Sequence, residues 1–171
     1  GYSEIARGCA QTMGVDLMRN FDRPWSAVLP SEFWHRWHMS LSTWFRDYVY
    51  KPLGGNRVSA GRRDANLLAT FALSGIWHGA GAGFLVWGLW NGILLVLERR
   101  LVLKGWIGSS KIRRILAHAT TAALILPSWI FFRAGSFQEG CGYLRRLFTI
   151  RVSGAANVLQ ELSTSGTEVL L

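Results

Sequence analysis

Ser74-Gly75-Ile76-Trp77-His78-Gly79-Ala80-Gly81-Ala82-Gly83 places one ionisable imidazole among glycines and apolar side chains. It lies inside residues 67–97, a run with no other charge-capable group. As one straight helix the run would measure roughly 46 Å at about 1.5 Å per residue, against a bilayer hydrocarbon core of about 30 Å. The glycines therefore mark a break: a helix ends or re-enters near Trp77, and a span follows from about Ala82 to Leu97. Non-helical backbone at membrane depth is tolerated only inside protein or against a wet cavity, so the break puts His78 in an interior site. Holding an ionisable group in so apolar a segment is costly, which makes His78 the first candidate for function. Gly75, Gly79 and Gly83 recur every fourth residue, as do Gly88 and Gly92, the spacing that lets membrane helices approach closely.

Composition points the same way. Of the 171 residues 50% are hydrophobic and nine are Trp, with a mean hydropathy of +0.18, unusual proportions for a soluble domain. A second transmembrane helix is expected over residues 115–132, with Lys111, Arg113 and Arg114 before it, Arg133 after it, and Pro127 as a kink. Together with Arg99 and Arg100 these cations flank apolar segments as interfacial anchors, which accommodates the net charge of +9. They form no basic stripe and accompany no recognition motif, so no nucleic-acid partner is expected. The basic residues are nearly balanced across the loops, and counting them leaves the orientation open. Cys9 and Cys141 lie too far apart for a metal or redox pair and read as packed thiols. The chain opens on Gly1 rather than an initiator Met and carries no signal peptide, so it is expected to be a portion of something longer. After Arg151 a loop leading into a truncated helix is expected.

On the amino-terminal side, Tyr2, Ile5, Cys9, Met13 and Leu17 fall at helical spacing and predict a modest amphipathic helix within residues 1–30. Pro24 and Pro30 break the chain around Trp25. Ser31 is placed to cap the next helix, with Glu32 favourable beside the positive end of its dipole. Over residues 32–50, Trp34, Trp37, Leu41, Trp44 and Tyr48 draw an aromatic stripe along one helix face, flanked by His35 and His38. Ser40, Ser42, Arg46 and Asp47 are too polar for a lipid-facing helix, which places this one at the interface or inside the protein. Pro52 stops it, and Gly54-Gly55 turns the chain into a basic loop with Arg57, Arg62 and Arg63.

Several groups here can carry chemistry. An imidazole with an unperturbed pKa of about 6.5 can accept a proton from a hydroxyl nucleophile; the bland alternative is that His78 bonds a carbonyl freed by the glycine break. His35 and His38, at i and i+3, lack the third ligand and the His-Glu-x-x-His pattern that a catalytic zinc wants, so no metal site is expected. Ser40 and Ser42 lack the strand-turn-helix setting of a nucleophile elbow. The aromatic stripe is packing, with some rings available to line a substrate path. Arg57, Arg62 and Arg63 suit a phosphate-bearing donor or lipid headgroups. Arg46 and Asp47 are adjacent, do not face each other on a helix, and are each expected to pair elsewhere.

One block now becomes recognisable. Glu32-Phe33-Trp34-His35-Arg36-Trp37-His38-Met39-Ser40-Leu41-Ser42-Thr43-Trp44-Phe45-Arg46-Asp47-Tyr48-Val49-Tyr50-Lys51-Pro52-Leu53-Gly54-Gly55-Asn56-Arg57 resembles the signature of the membrane-bound O-acyltransferase (MBOAT) family, closest to its alginate O-acetyltransferase branch. Trp77-His78-Gly79-Ala80 resembles the second block of that family, and Trp129-Ile130-Phe131-Phe132-Arg133-Ala134 a downstream block of the same branch. The resemblance implies an all-α, polytopic transmembrane fold around a tunnel, with residues 1–171 forming a carboxy-terminal portion of one membrane domain. Within it, residues 32–57 make a motif helix and turn and residues 67–97 the His-bearing membrane segment. It implies a multi-pass protein of the bacterial inner membrane. The implied activity is acetyl transfer from acetyl-CoA, a substrate rather than a bound cofactor, toward hydroxyls of an exported polysaccharide. His78 matches the catalytic histidine and His38 the second functional histidine of the Trp-His-x-Ser-Leu-Ser block. His35 stands where a basic residue, often Arg, is expected. Arg57, Trp77 and Arg46 are the candidates for binding substrate or donor. Membrane lipids and a polysaccharide or relay acetyltransferase on the far side are the implied partners. D-alanyl transfer to teichoic acid is the alternative within the family, and a transporter or assembly subunit the alternative outside it.

Overall fold

The computed structural model describes residues 2–101 and 110–149, and every described element is helical. Helix α1 covers Tyr2–Thr12, a 3-10 turn covers Pro24–Ser26, α2 covers Pro30–Arg36, and α3 covers Met39–Phe45, which runs on into a π-helical turn, Arg46–Tyr50. The long pair is α4, Ala60–His78, and α5, Ala82–Arg100. Then follow α6, Lys111–Ile125, α7, Ser128–Arg133, and α8, Phe137–Phe148. The tail expected after Arg151 lies outside the described residues.

The glycine-rich stretch separates α4 from α5 and turns the chain back into an antiparallel hairpin. The glycines then let the two helices touch through their backbones. A Cβ on Gly75 would lie 2.3 Å from the carbonyl oxygen of Phe84, and one on Gly88 2.3 Å from that of Phe71, distances no real side chain occupies. At the open end of the hairpin, Asp64 of α4, 8% exposed, is ion-paired to Arg99 and Arg100 of α5, with Arg100 Nε donating to its Oδ2 at 2.7 Å. His78 sits at the other end, beside the turn.

Against this hairpin packs a small core of Ala27, Phe33, Leu94 and Ile125, sealed by Trp34, Trp37, Leu124 and Trp129. Helix α6 is stitched to the loop before α2: the Thr121 hydroxyl donates to Val28 O at 2.8 Å and His118 Nδ1–H to Ala27 O at 2.9 Å. Where α6 gives way to α7, the Ser128 hydroxyl donates to Ile125 O at 2.7 Å and accepts from Nδ2 of the fully buried Asn91 at 3.3 Å. These bonds satisfy polar groups at a helix break that would otherwise be orphaned in the interior.

The apolar segment Lys111–Arg133 bends at Pro127 into α6 and α7, the kink its sequence position suggests, since Pro127 has no amide hydrogen to donate and its ring crowds the preceding turn. Several expectations are corrected. The stripe over residues 32–50 is not one helix, because the chain breaks at Trp37-His38. Arg62 and Arg63 belong to the first turn of α4 instead of a loop, and α1 ends at Thr12 with no buried residue. Cys9 and Cys141 are exposed free thiols, not packed ones. Ser31 is not the cap of α2, which starts at Pro30; its amide and hydroxyl both donate to the buried Glu98 carboxylate of α5, at 2.7 and 2.6 Å. Arg46 and Asp47 do pair with each other, through Nε to Oδ1 at 2.9 Å and Nη2 to Oδ2 at 3.1 Å, with Lys51 Nζ at 2.7 Å from the same carboxylate. The forked guanidinium reaches the neighbouring carboxylate in the wider π-helical turn.

Two stretches are long and apolar enough to cross a membrane, Ala82–Arg100 and Lys111–Arg133. Only 33% and 17% of their spans are buried, so most of their apolar surface faces outward, unlike the core helices of a soluble protein.

Candidate active site

Helices α2, α3, α4, α5 and α7 line a half-open cavity of about 840 Å³. One wall is a single face of α4, carrying Leu67, Thr70, Phe71, Ser74 and His78 at steps of three and four. Leu67 and His78 are eleven steps apart, so this wall is about 16 Å long at about 1.5 Å per residue. The opposite wall comes from α2, α3 and the break between them, which supply Trp34, Trp37 and His38. Trp87 of α5 and Trp129 and Phe132 of α7 close the space between.

The two histidines enter this cavity by different means. His78 is the last residue of α4, and the chain turns away immediately after it. Its ring is half-buried in an aromatic box, with centroids 4.9 Å from Phe132 and 5.3 Å from Trp87, both edge-on. His38 occupies the break between α2 and α3 with φ 44° and ψ 56°, the left-handed region that a residue with a Cβ adopts only at a cost of about 1–3 kcal/mol. Its Nδ1 is buried and has no hydrogen-bond partner among the described residues. A continuous set of rings joins the two histidines: His38 meets Phe21 at 6.0 Å, Phe21 meets Trp37 at 5.0 Å, Trp37 meets Trp129 at 5.0 Å, Trp129 meets Phe132 at 5.3 Å, and Phe132 meets His78. An apolar, aromatic cavity lined by two imidazoles can bind an acyl group and move one proton.

Of the other sequence candidates, Arg46 lines the cavity, with its guanidinium engaged by Asp47. Hydrogen bonds from Arg46 first and Lys51 second hold the Asp47 carboxyl well below the usual carboxylate range. Arg57 and Trp77 do not line it: Arg57 is exposed beyond the Gly54-Gly55 turn, and Trp77, 59% exposed, points its indole outward from α4. His35 does line it, and its Nδ1–H donates to Ser31 O at 2.6 Å. No group of three or more metal-ligating side chains occurs among the described residues. Glu98 and Arg99 line the end remote from His78, a role that sequence reading gave to neither; a carboxylate at the close of an apolar run reads as an interfacial charge until its bonds to Ser31 are seen.

The family model described as MBOAT, membrane-bound O-acyltransferase family, matches residues 8–132. A Pseudomonas aeruginosa protein named "Probable alginate O-acetylase AlgI" is 42% identical over 149 residues, 87% of this chain and 28% of the relative. A Helicobacter pylori peptidoglycan O-acetyltransferase is 34% identical over 163 residues, 95% of this chain and 31% of the relative. A Bacillus subtilis teichoic acid D-alanyltransferase is 31% identical over 152 residues, 81% of this chain and 38% of the relative. The chain thus spans well under half the length of these relatives.

Proposed function

The chain belongs to the membrane-bound O-acyltransferase family, and from that membership we propose that the protein moves acetyl groups from acetyl-CoA to hydroxyls of an exported polysaccharide. The observation that carries this reading is that His38, in the break between α2 and α3, and His78, at the end of α4, line one aromatic cavity. In the transfer, the hydroxyl oxygen attacks the thioester carbon; an ester C–O bond forms and the C–S bond breaks. His78 takes the hydroxyl proton as general base and returns it to the leaving thiolate, help worth about 10²–10⁴ in rate. His38 orients or polarises the acyl group from the facing wall. Its setting is a multi-pass protein of the bacterial inner membrane, surrounded by lipid, with the polysaccharide or a relay acetyltransferase receiving the acetyl group on the far side. The two apolar spans support that setting.

D-alanyl transfer to teichoic acid is the second reading, favoured by the 31% identity to the Bacillus subtilis relative. The relatives named for O-acetyl transfer are more similar, at 42% and 34% identity. Labelled acetyl-CoA supplied to membranes bearing the full-length protein tests the choice. The expected product is a base-labile acetyl ester on polymer, absent from the His78→Ala variant. Label incorporated only when D-alanine replaces acetate would favour the second reading. Solute movement without any covalent product would indicate a transporter instead.

A further inference from the structure

His38 stands at the N-cap of α3, where a side chain ordinarily folds back to bond the first free amides of the helix. It makes no such bond. A residue eighteen positions earlier does so instead. The backbone oxygen of Asn20 accepts the Met39 amide at 2.9 Å, and its side-chain Oδ1 accepts both the amide and the hydroxyl of Ser40, at 2.9 and 2.8 Å. Two residues on, the Asp22 amide donates to Arg36 O at 3.0 Å, on the other side of the break. Between these ties Phe21 packs edge-on against Trp37 at 5.0 Å and tilted against His38 at 6.0 Å. Residues 20–22 therefore form a strap that spans the left-handed residue from end to end.

We propose that Asn20 is a positioning residue that caps α3 in place of His38. The strap stabilises the unfavourable backbone of His38, and the borrowed cap leaves the imidazole free of a capping role on the cavity wall, its buried Nδ1 without a partner among the described residues. The two Ser40 donors meet only the acceptor oxygen of the Asn20 side chain, so a carboxylate can replace the Asn amide whereas a methyl group cannot. The inference rests on the acyl-transfer reading for its effect on rate, but not for its effect on His38 itself.

The test compares Asn20→Ala and Asn20→Asp with the unmodified full-length protein in membranes. Carbethoxylation of individual histidines by diethyl pyrocarbonate is followed by peptide mass spectrometry beside acetyl-transfer kinetics. In Asn20→Ala the rate of modification at His38 should change several-fold while that at His118, held by Ala27 O on another face, stays constant. The same variant should lose about 10²-fold in kcat with little change in KM, the scale expected when a reacting group is misplaced by about 1 Å. Asn20→Asp should restore both readouts to within a few-fold. Unchanged His38 modification in Asn20→Ala overturns the proposal. So does equal damage by Ala and Asp, or a change that extends to His118, since either marks a general structural role. If His38 responds as expected while His38→Ala retains full activity, the positioning by Asn20 stands and the acyl-transfer role of His38 falls.

Discussion

The Glu98 carboxylate of α5, 6% exposed, holds the first turn of α2 through Ser31 and so sets the wall that carries Trp34 and Trp37. Glu98→Leu leaves a part-buried amide and hydroxyl without their acceptor, at a cost of about 1 kcal/mol. Glu98→Gln keeps an acceptor oxygen and should lose less. Thermal unfolding in detergent of the two variants should therefore rank Leu below Gln below the unmodified protein. The histidines differ in how far sequence alone reveals them. His78 is legible from its neighbours, because it is the one ionisable group in a long apolar run and the glycines beside it announce a break. His38 is legible only through the motif around it. Nothing in its spacing reveals a left-handed backbone, and a continuous helix over residues 32–50 satisfies the hydrophobic pattern equally well. The break is imposed by bonds from residues 20–22, a segment with no periodicity to read.

Among elements, the α4–α5 hairpin makes a simple prediction about size. Gly75→Ala forces a methyl group into the Phe84 carbonyl and should destabilise by about 1–3 kcal/mol. Gly142→Ala, in α8 with nothing within 4 Å of the new Cβ, should be neutral or stabilise by up to about 1 kcal/mol. Melting temperatures of the two variants check the contrast, and equal behaviour would remove close approach as the reason for Gly75. The hairpin is also the most completely readable element. Its arms end and begin where the glycines suggest, at His78 and Ala82, and its four-residue glycine spacing becomes a backbone contact. The span over residues 115–132 bends at Pro127, where the sequence suggests a kink, and Asn91 and Ser128 supply the polar contacts at the bend. The Asn91 contact comes from α5, which no local pattern contains.

At the scale of the molecule, the hairpin, the broken motif helix and the short α7 meet around one cavity whose ends differ in chemistry. Ionic and hydrogen-bonded groups, Glu98 and Arg99 with its partner Asp64, gather toward the open end of the hairpin, and His78 stands near its turn. Each wall is present in the sequence as a separate motif, and their meeting depends on long-range contacts such as Ser31 with Glu98, 67 residues away. If the cavity is one reaction site, its two histidines act as a unit, and units of this kind show strongly non-additive losses. The direct measurement is acetyl-transfer kcat for His38→Ala, His78→Ala and the double variant, each in the full-length protein at matched membrane expression. A shared site predicts that each single variant falls by about 10² or more and that the double variant is scarcely worse than the poorer single one. Full activity in His78→Ala, or losses that simply multiply in the double variant, would contradict it.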